Sequence, residues 1–321
     1  MPPPGPDGGF IPDAGAAKID VSRSTLTVGS TETVANGSTQ LTFKLTLRNT
    51  ADQPVSAANV TFAITGTANQ LNAPPSTDQN GEINGVLTST HAEQKQLTAS
   101  VEIDGAMVSL PSVTVNFIAG PADHFVFATQ PTTTKAGVVM TPAVTLTVLD
   151  SHENPAKDPF TVSLRLVRSN SGTLIGGGPV TSVNGVVTFD ALSVNRPQVG
   201  RALRAEAANG AAVESDLFDI ILGDFSSATS TLVATPPNSI ADGTSVVTLT
   251  LTARDTGGNT LANVPASLAV TGTGNTVGAT SGMTDVNGVF ATTLTSTVPE
   301  TKTVTATVNS VPIQVMVTFI P

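Results

Sequence analysis

Two groups of carboxylate and amide side chains in this sequence have spacings that could do chemistry. Asp78, Asn80 and Gly81 form an Asp-x-Asn-Gly motif in TDQNGEINGVLTST, and 207 positions later TDVNGVFATTLTST brings Asp285, Asn287 and Gly288. Oxygen side chains at alternate positions begin a calcium loop, but such a loop needs five or more oxygen ligands, and an EF-hand continues to a Glu at position twelve. Here Thr and Ser follow instead. The same residues suit a structural turn: Gly lacks a Cβ, Asn tolerates the left-handed region, and Asp accepts from N–H groups two residues on. Asn184 and Gly185 stand at the same point of a third, looser segment, and the turn is the reading adopted for all three. The second group is LDSHENPAKD at 149–158, where Asp150, Glu153, Asn154 and Asp158 offer oxygens that could hold Ca²⁺, in a spacing that matches no defined loop.

Other chemistries lack their parts. There is no cysteine, which removes disulfides, thiolate metal sites and cysteine nucleophiles. His91, His124 and His152 lie in separate segments, none with a second His at zinc spacing. GATSG at 278–282 has its serine one place late for a nucleophile elbow, and IGGGP at 175–179 lacks the Lys-Ser/Thr of a phosphate loop. No catalytic residue, cofactor or enzymatic activity is therefore expected. Trp and Tyr are absent, and most of the 12 Phe fall in expected core strands, with Phe10 and Phe225 as exceptions, which leaves little for an aromatic sugar platform. The 14 basic and 24 acidic residues give a net charge of −10 with no basic run, which argues against a nucleic-acid partner and against anionic membranes. No stretch approaches the ~20 apolar residues of a spanning helix, so direct membrane insertion is not expected.

The elements that must position these residues are strands. Leu41, Phe43, Leu45 and Leu47 alternate with Thr42, Lys44, Thr46 and Arg48, and Val247, Leu249, Leu251 and Ala253 repeat the pattern. A period of two marks a strand with one buried face. Leu97, Ala99, Val101 and Val304, Ala306, Val308 continue the correspondence, and Val115, Phe117 and Val317, Phe319 close each unit. The middle segment carries strands of similar length at 144–150, 160–167, 185–192, 201–208 and 215–221, and nothing shows sustained helical spacing. Units of about 100 residues with seven or so short strands have the rhythm of an immunoglobulin-like sandwich. The expected fold is all-β: three tandem immunoglobulin-like β-sandwich domains at 18–119, 120–223 and 224–321, forming an elongated rod behind a flexible Pro/Gly/Asp-rich tether at 1–17.

IADGTSVVTLTLTARDTGGNTLANVP followed by TDVNGVFATTLTST resembles the bacterial Ig-like repeat of the intimin and invasin adhesins, whose pattern runs A-D-G, a Thr/Val strand, D-x-x-G-N-P-V and T-D-x-N-G. Thr260 departs from the usual Pro; the first unit matches through VANGS, NTADQPV and TDQNG, and the middle one only through LDSHENP and VNG. The resemblance implies a non-enzymatic stalk or adhesin segment, exported to the bacterial surface, with a protein or surface receptor as partner. Export and a lipid anchor through a missing amino-terminal segment fit the tether, which is similar to the spacers of bacterial lipoproteins. The short junctions IAGPADHF (118–125) and ILGDFSSA (221–228) imply end-to-end stacking into a rod on the order of 100–120 Å. Self-association through edge strands, in a filament or phage-like appendage, and an accessory module of a secreted hydrolase are the alternatives.

Overall fold

The computed structural model describes residues 18–321; the expected tether and Phe10 lie outside the described residues. Contacts divide the chain into two compact units. One holds the described residues up to His124 together with Val148–Asp158, and the other holds Phe125–Thr147 and Pro159–Pro321. Every regular element among the described residues is a β-strand.

In the first unit one sheet runs Thr25–Val28, Leu41–Thr46, Glu82–Ser89, Asn69–Asn72 in spatial order. The facing sheet runs Glu32–Val34, Val113–Ile118, Gln94–Ile103, Val60–Ile64, and Ala106–Ser109 also pairs with Gln94–Ile103. The chain leaves Thr25–Val28 in one sheet and enters the other as Glu32–Val34, which pairs parallel to Val113–Ile118. The period-two reading is met residue by residue: Leu41, Phe43, Leu45 and Leu47 are buried, as are Leu97, Ala99 and Val101 of the facing sheet. Fully burying side chains of this size contributes about 1.5–3 kcal/mol each, which is why one register wins over its one-residue slip.

The second unit contains the same plan again near its carboxyl end. One sheet is Thr231–Thr235, Val247–Thr252, Val289–Ser296, Asn275–Val277; the other is Asn238–Ile240, Val311–Ile320, Thr301–Val308, Pro265–Val270, Ser281–Met283. Asn238–Ile240 again pairs parallel to the closing strand. The remaining strands form a three-stranded sheet, His124–Thr129, Val144–Leu149, Val186–Phe189, and a larger sheet centred on Gln198–Ala207 and Thr161–Val167. Gln198–Ala207 carries a register shift between Gln198 and Arg201 that the corresponding strands Gln94–Ile103 and Thr301–Val308 lack.

Phe225, expected outside the strands, is 6% exposed and packs in the core with Leu232, Leu251 and Phe290. A bridge to Asp255 draws it in, so no aromatic face is presented to solvent there.

Candidate functional site

The three Asn-Gly pairs occupy two kinds of turn. At Asp78 the main chain closes through Gly81 N–H to the Asp78 carbonyl (3.0 Å) and Asp78 N–H to the Glu82 carbonyl (3.0 Å). The Asp78 carboxylate accepts from the N–H groups of Asn80 (2.9 Å) and Glu82 (2.8 Å). Asp285 repeats this with Asn287 (2.9 Å) and Val289 (2.8 Å). In both turns the left-handed residue is the glycine, Gly81 (φ 72°) or Gly288 (φ 75°), while Asn80 and Asn287 keep negative φ. Asn184 (φ 51°) and Gly185 (φ 80°) are both left-handed, the pattern of a two-residue hairpin, with Val183 and Val186 exchanging both main-chain bonds. A Cβ on Gly81 would lie 2.6 Å from the Leu47 carbonyl oxygen and 2.9 Å from the Val55 nitrogen, so these turns also pack against the strand ends beneath them.

The threonine before each Asp is part of the device. Thr77 Oγ1 donates to the Val55 carbonyl (2.7 Å) and accepts from Ala58 N–H (3.0 Å). Thr284 does the same with Leu261 (2.6 Å) and Val264 (3.0 Å). Both hydroxyls are buried and stitch two neighbouring loops together.

The Asp150 loop brings two of its four candidate oxygens together and separates the others. Asp150 and Asn154 are each about 1% exposed, and the Asn154 amide donates to both carboxylate oxygens (3.2 and 3.0 Å). His152 N–H (2.8 Å) and Asn154 N–H (3.0 Å) also donate to Asp150 Oδ1, and Gly120 N–H donates to Oδ2 (2.7 Å). Burial pushes the Asp150 carboxyl up, but the Asn154 side chain and the N–H groups of Asn154, Gly120 and His152 outweigh it and hold the group below the ordinary carboxylate range. Glu153 instead faces His124 Nε2 at 3.3 Å, and Asp158 is exposed further along the loop. Among the described residues no cluster of three or more His, Asp or Glu could hold a metal ion.

Asp255 and Asn259 form the same pair in the second unit. The Asn259 amide lies 3.0 Å from each Asp255 oxygen, Asn259 N–H donates to Oδ1 (2.8 Å), and Gly223 N–H donates to Oδ2 (3.0 Å). Each asparagine then reaches an element far away in sequence. Asn154 donates to the Thr90 carbonyl (3.0 Å) and accepts from Ala92 N–H (2.7 Å), and Asn259 donates to the Asn195 carbonyl (2.8 Å). Asn49 and Gln53 hold the corresponding positions nearer the amino terminus. In that loop Asn49 Oδ1 accepts from Ala51 and Gln53 N–H (2.9 Å each).

Sequence reasoning missed a buried cation that each set of strands carries at one position. Lys95 and Lys302 are fully buried; each ammonium donates to a main-chain carbonyl, of Thr67 or Thr273 (2.8 Å each), and to Glu93 or Glu300 (2.6 Å each). The lysine bond, followed by a backbone N–H, holds the Glu93 and Glu300 carboxyls below their usual range against a smaller effect of burial. Arg201, also fully buried, donates to Ser169 Oγ and to the carbonyls of Ser171 and Arg196 (2.8 Å each). The signal was present: Lys95 is two residues before Leu97, so the strand period places it on the inner face.

Comparison with known proteins agrees with this architecture. Residues 23–118 and 229–320 match the model of the bacterial Ig-like domain (group 1). The inverse autotransporter adhesin YeeJ of Escherichia coli (strain K12) is 32% identical over 171 residues; the match takes in 52% of this chain and 7% of that protein's length. Among solved structures, the Escherichia coli adhesin FdeC aligns with a TM-score of 0.54 at 21% identity over 95% of this chain and 99% of that one. Yersinia pseudotuberculosis InvD aligns with a TM-score of 0.45 at 16% identity over 94% and 98%. With both matched segments built as facing sheets around a repeated Asp-x-Asn-Gly turn, this chain belongs to the bacterial Ig-like domain (group 1) family.

Proposed function

We propose that this chain is a non-enzymatic stalk segment of a bacterial surface adhesin. Three tandem sandwiches, at 18–119, 120–223 and 224–321, would hold binding surfaces away from the cell, at the outer-membrane surface or outside it. The partner would be a protein or surface receptor met by end loops or by an outer sheet face. The observation that carries the reading is the loop pair Asp150–Asn154 and Asp255–Asn259, each hydrogen-bonded to a short connecting segment through Gly120 or Gly223. A chain of binding modules that tumble freely has no use for buried bonds at those points, whereas a spacer does. The adhesin relatives support the same reading.

Small-angle scattering on the monomer tests it. A maximum dimension on the order of 100–120 Å is expected from three sandwiches with strands of roughly 30 Å. A compact particle of about 60–70 Å, the size two strand lengths would give, is the result that overturns the spacer.

A further inference from the structure

We propose that the Asp255–Asn259 loop of the second unit is an orientation lock: Asp255 and Asn259 are positioning residues that fix the repeat at 224–321 against the end of the repeat before it, and Asp150 and Asn154 make the same bonds within the first unit. This rests on the three-repeat reading and adds a residue-level cause for its stiffness.

The stretch before residue 119 supplies the internal control. Its loop at Asn49–Gln53 has the same main-chain closure as the other two: Asn49 N–H to the Gln53 carbonyl (3.0 Å), Asp150 N–H to Asn154 (2.9 Å), Asp255 N–H to Asn259 (2.9 Å). The third residue after each is left-handed in all three, Asp52 (φ 63°), Glu153 (φ 65°) and Gly258 (φ 80°). Asn and Gln are therefore sufficient to fold the loop. What Asp and Asn add is directed outward. The second carboxylate oxygen takes the N–H of the connecting segment, Gly120 or Gly223, and the shorter amide takes a carbonyl of the preceding strands' loop, Thr90 or Asn195. Both Asp side chains are buried, so each lost bond would strand a group away from water. In the second unit the fit is close enough to need glycine: a Cβ on Gly257 would collide with the Asn195 carbonyl oxygen.

The test uses the absence of cysteine, which lets spin labels be placed at will. Labels go on the exposed positions Asp190 and Ala291 through Asp190→Cys and Ala291→Cys. The double variant Asp255→Asn with Asn259→Gln gives the loop the composition of Asn49–Gln53. The distance distribution by double electron–electron resonance is expected to be narrow in the parent and at least twice as broad in the variant. Exchange of the Gly223 amide should rise by about tenfold or more, the share of one hydrogen bond to a charged group. The unfolding midpoint should fall, because buried groups lose partners, while the loop itself still closes through its main-chain bonds. An unchanged width and unchanged exchange in a folded variant would overturn the lock. Should the double variant not fold, Asn259→Ala, which removes the side-chain donor to Asn195 and to Asp255 but keeps the N–H groups of Gly223 and residue 259 on Asp255, carries the distance readout, and an unchanged width there overturns the lock. A parent that is already broad also overturns the lock, while scattering on that sample decides the spacer reading independently.

Discussion

The Asn259 amide nitrogen sits 3.0 Å from both carboxylate oxygens of Asp255. Its other proton points to the Asn195 carbonyl at 2.8 Å. An amide has two donors, so one is shared across the carboxylate and the other is committed elsewhere. Both oxygens of the Asp255 carboxylate are thus taken by donors of the chain itself, and those of Asp150 are taken alike.

Calcium should therefore leave the protein unaltered. The N–H groups of Gly120, His152 and Asn154 occupy the directions from which a cation would approach Asp150. Thermal unfolding in millimolar Ca²⁺ and in chelator is expected to give one midpoint. A clear rise with Ca²⁺ would mean that the loop opens to bind it.

Thr284→Val should cost about 1–3 kcal/mol, because Val264 N–H and the Leu261 carbonyl lose their buried partner. Thr284→Ser keeps the hydroxyl and should cost clearly less. Urea titration of both variants compares them, and equal losses would assign the effect to the methyl group.

Gly81→Ala and Gly105→Ala separate strain from collision. Both glycines are left-handed, at φ 72° and 81°, but a Cβ on Gly105 meets nothing within 4 Å. Gly105→Ala should cost about 1 kcal/mol of backbone strain alone. Gly81→Ala adds contact with Leu47 and Val55 and should cost about 2–4 kcal/mol, read as the difference in denaturant midpoints.

Lys302→Ala should destabilise by about 2–5 kcal/mol, since it leaves a cavity and removes the donor to Thr273 and Glu300. Lys302→Met fills the space without the charge and should recover part of the loss. If the two variants are equally unstable, the ammonium rather than the volume holds that end of the sandwich.

Acid should weaken the loop at Asp242. N–H groups of Ser245 and Thr244, then the Ser245 hydroxyl, hold its pKa down at about 2. The free carboxyl titrates near 3.9, so the folded state gains from ionisation above about pH 4 and loses that gain as pH falls toward 2. Asp242→Asn should keep the cap, as Asn36 does with Ser38 and Thr39, and remove this part of the acid sensitivity. Stability curves of parent and variant that run parallel between pH 2 and 4 would contradict the assignment.

Much of the fold was legible because its signals are local. Leu41, Phe43, Leu45 and Leu47 declare a buried face through neighbours two residues apart, and that face is buried. Asn184-Gly185 declares a two-residue hairpin because two left-handed residues in a row suit few other pairs. Lys95 was legible by the same period, but a lysine in an inner position is read past until its carbonyl and carboxylate partners are seen.

The sequence by itself determined where the strands run, which side of each is buried, where the chain turns, and that one plan recurs. Only the tertiary structure decided which groups Asp150, Asn154, Asp255 and Asn259 bond to. Asn154 and Asn259 bond to main-chain groups 62 and 64 residues away. A backbone carbonyl or N–H is the same in nearly every residue, so no pattern of side chains marks which of them a distant amide will meet.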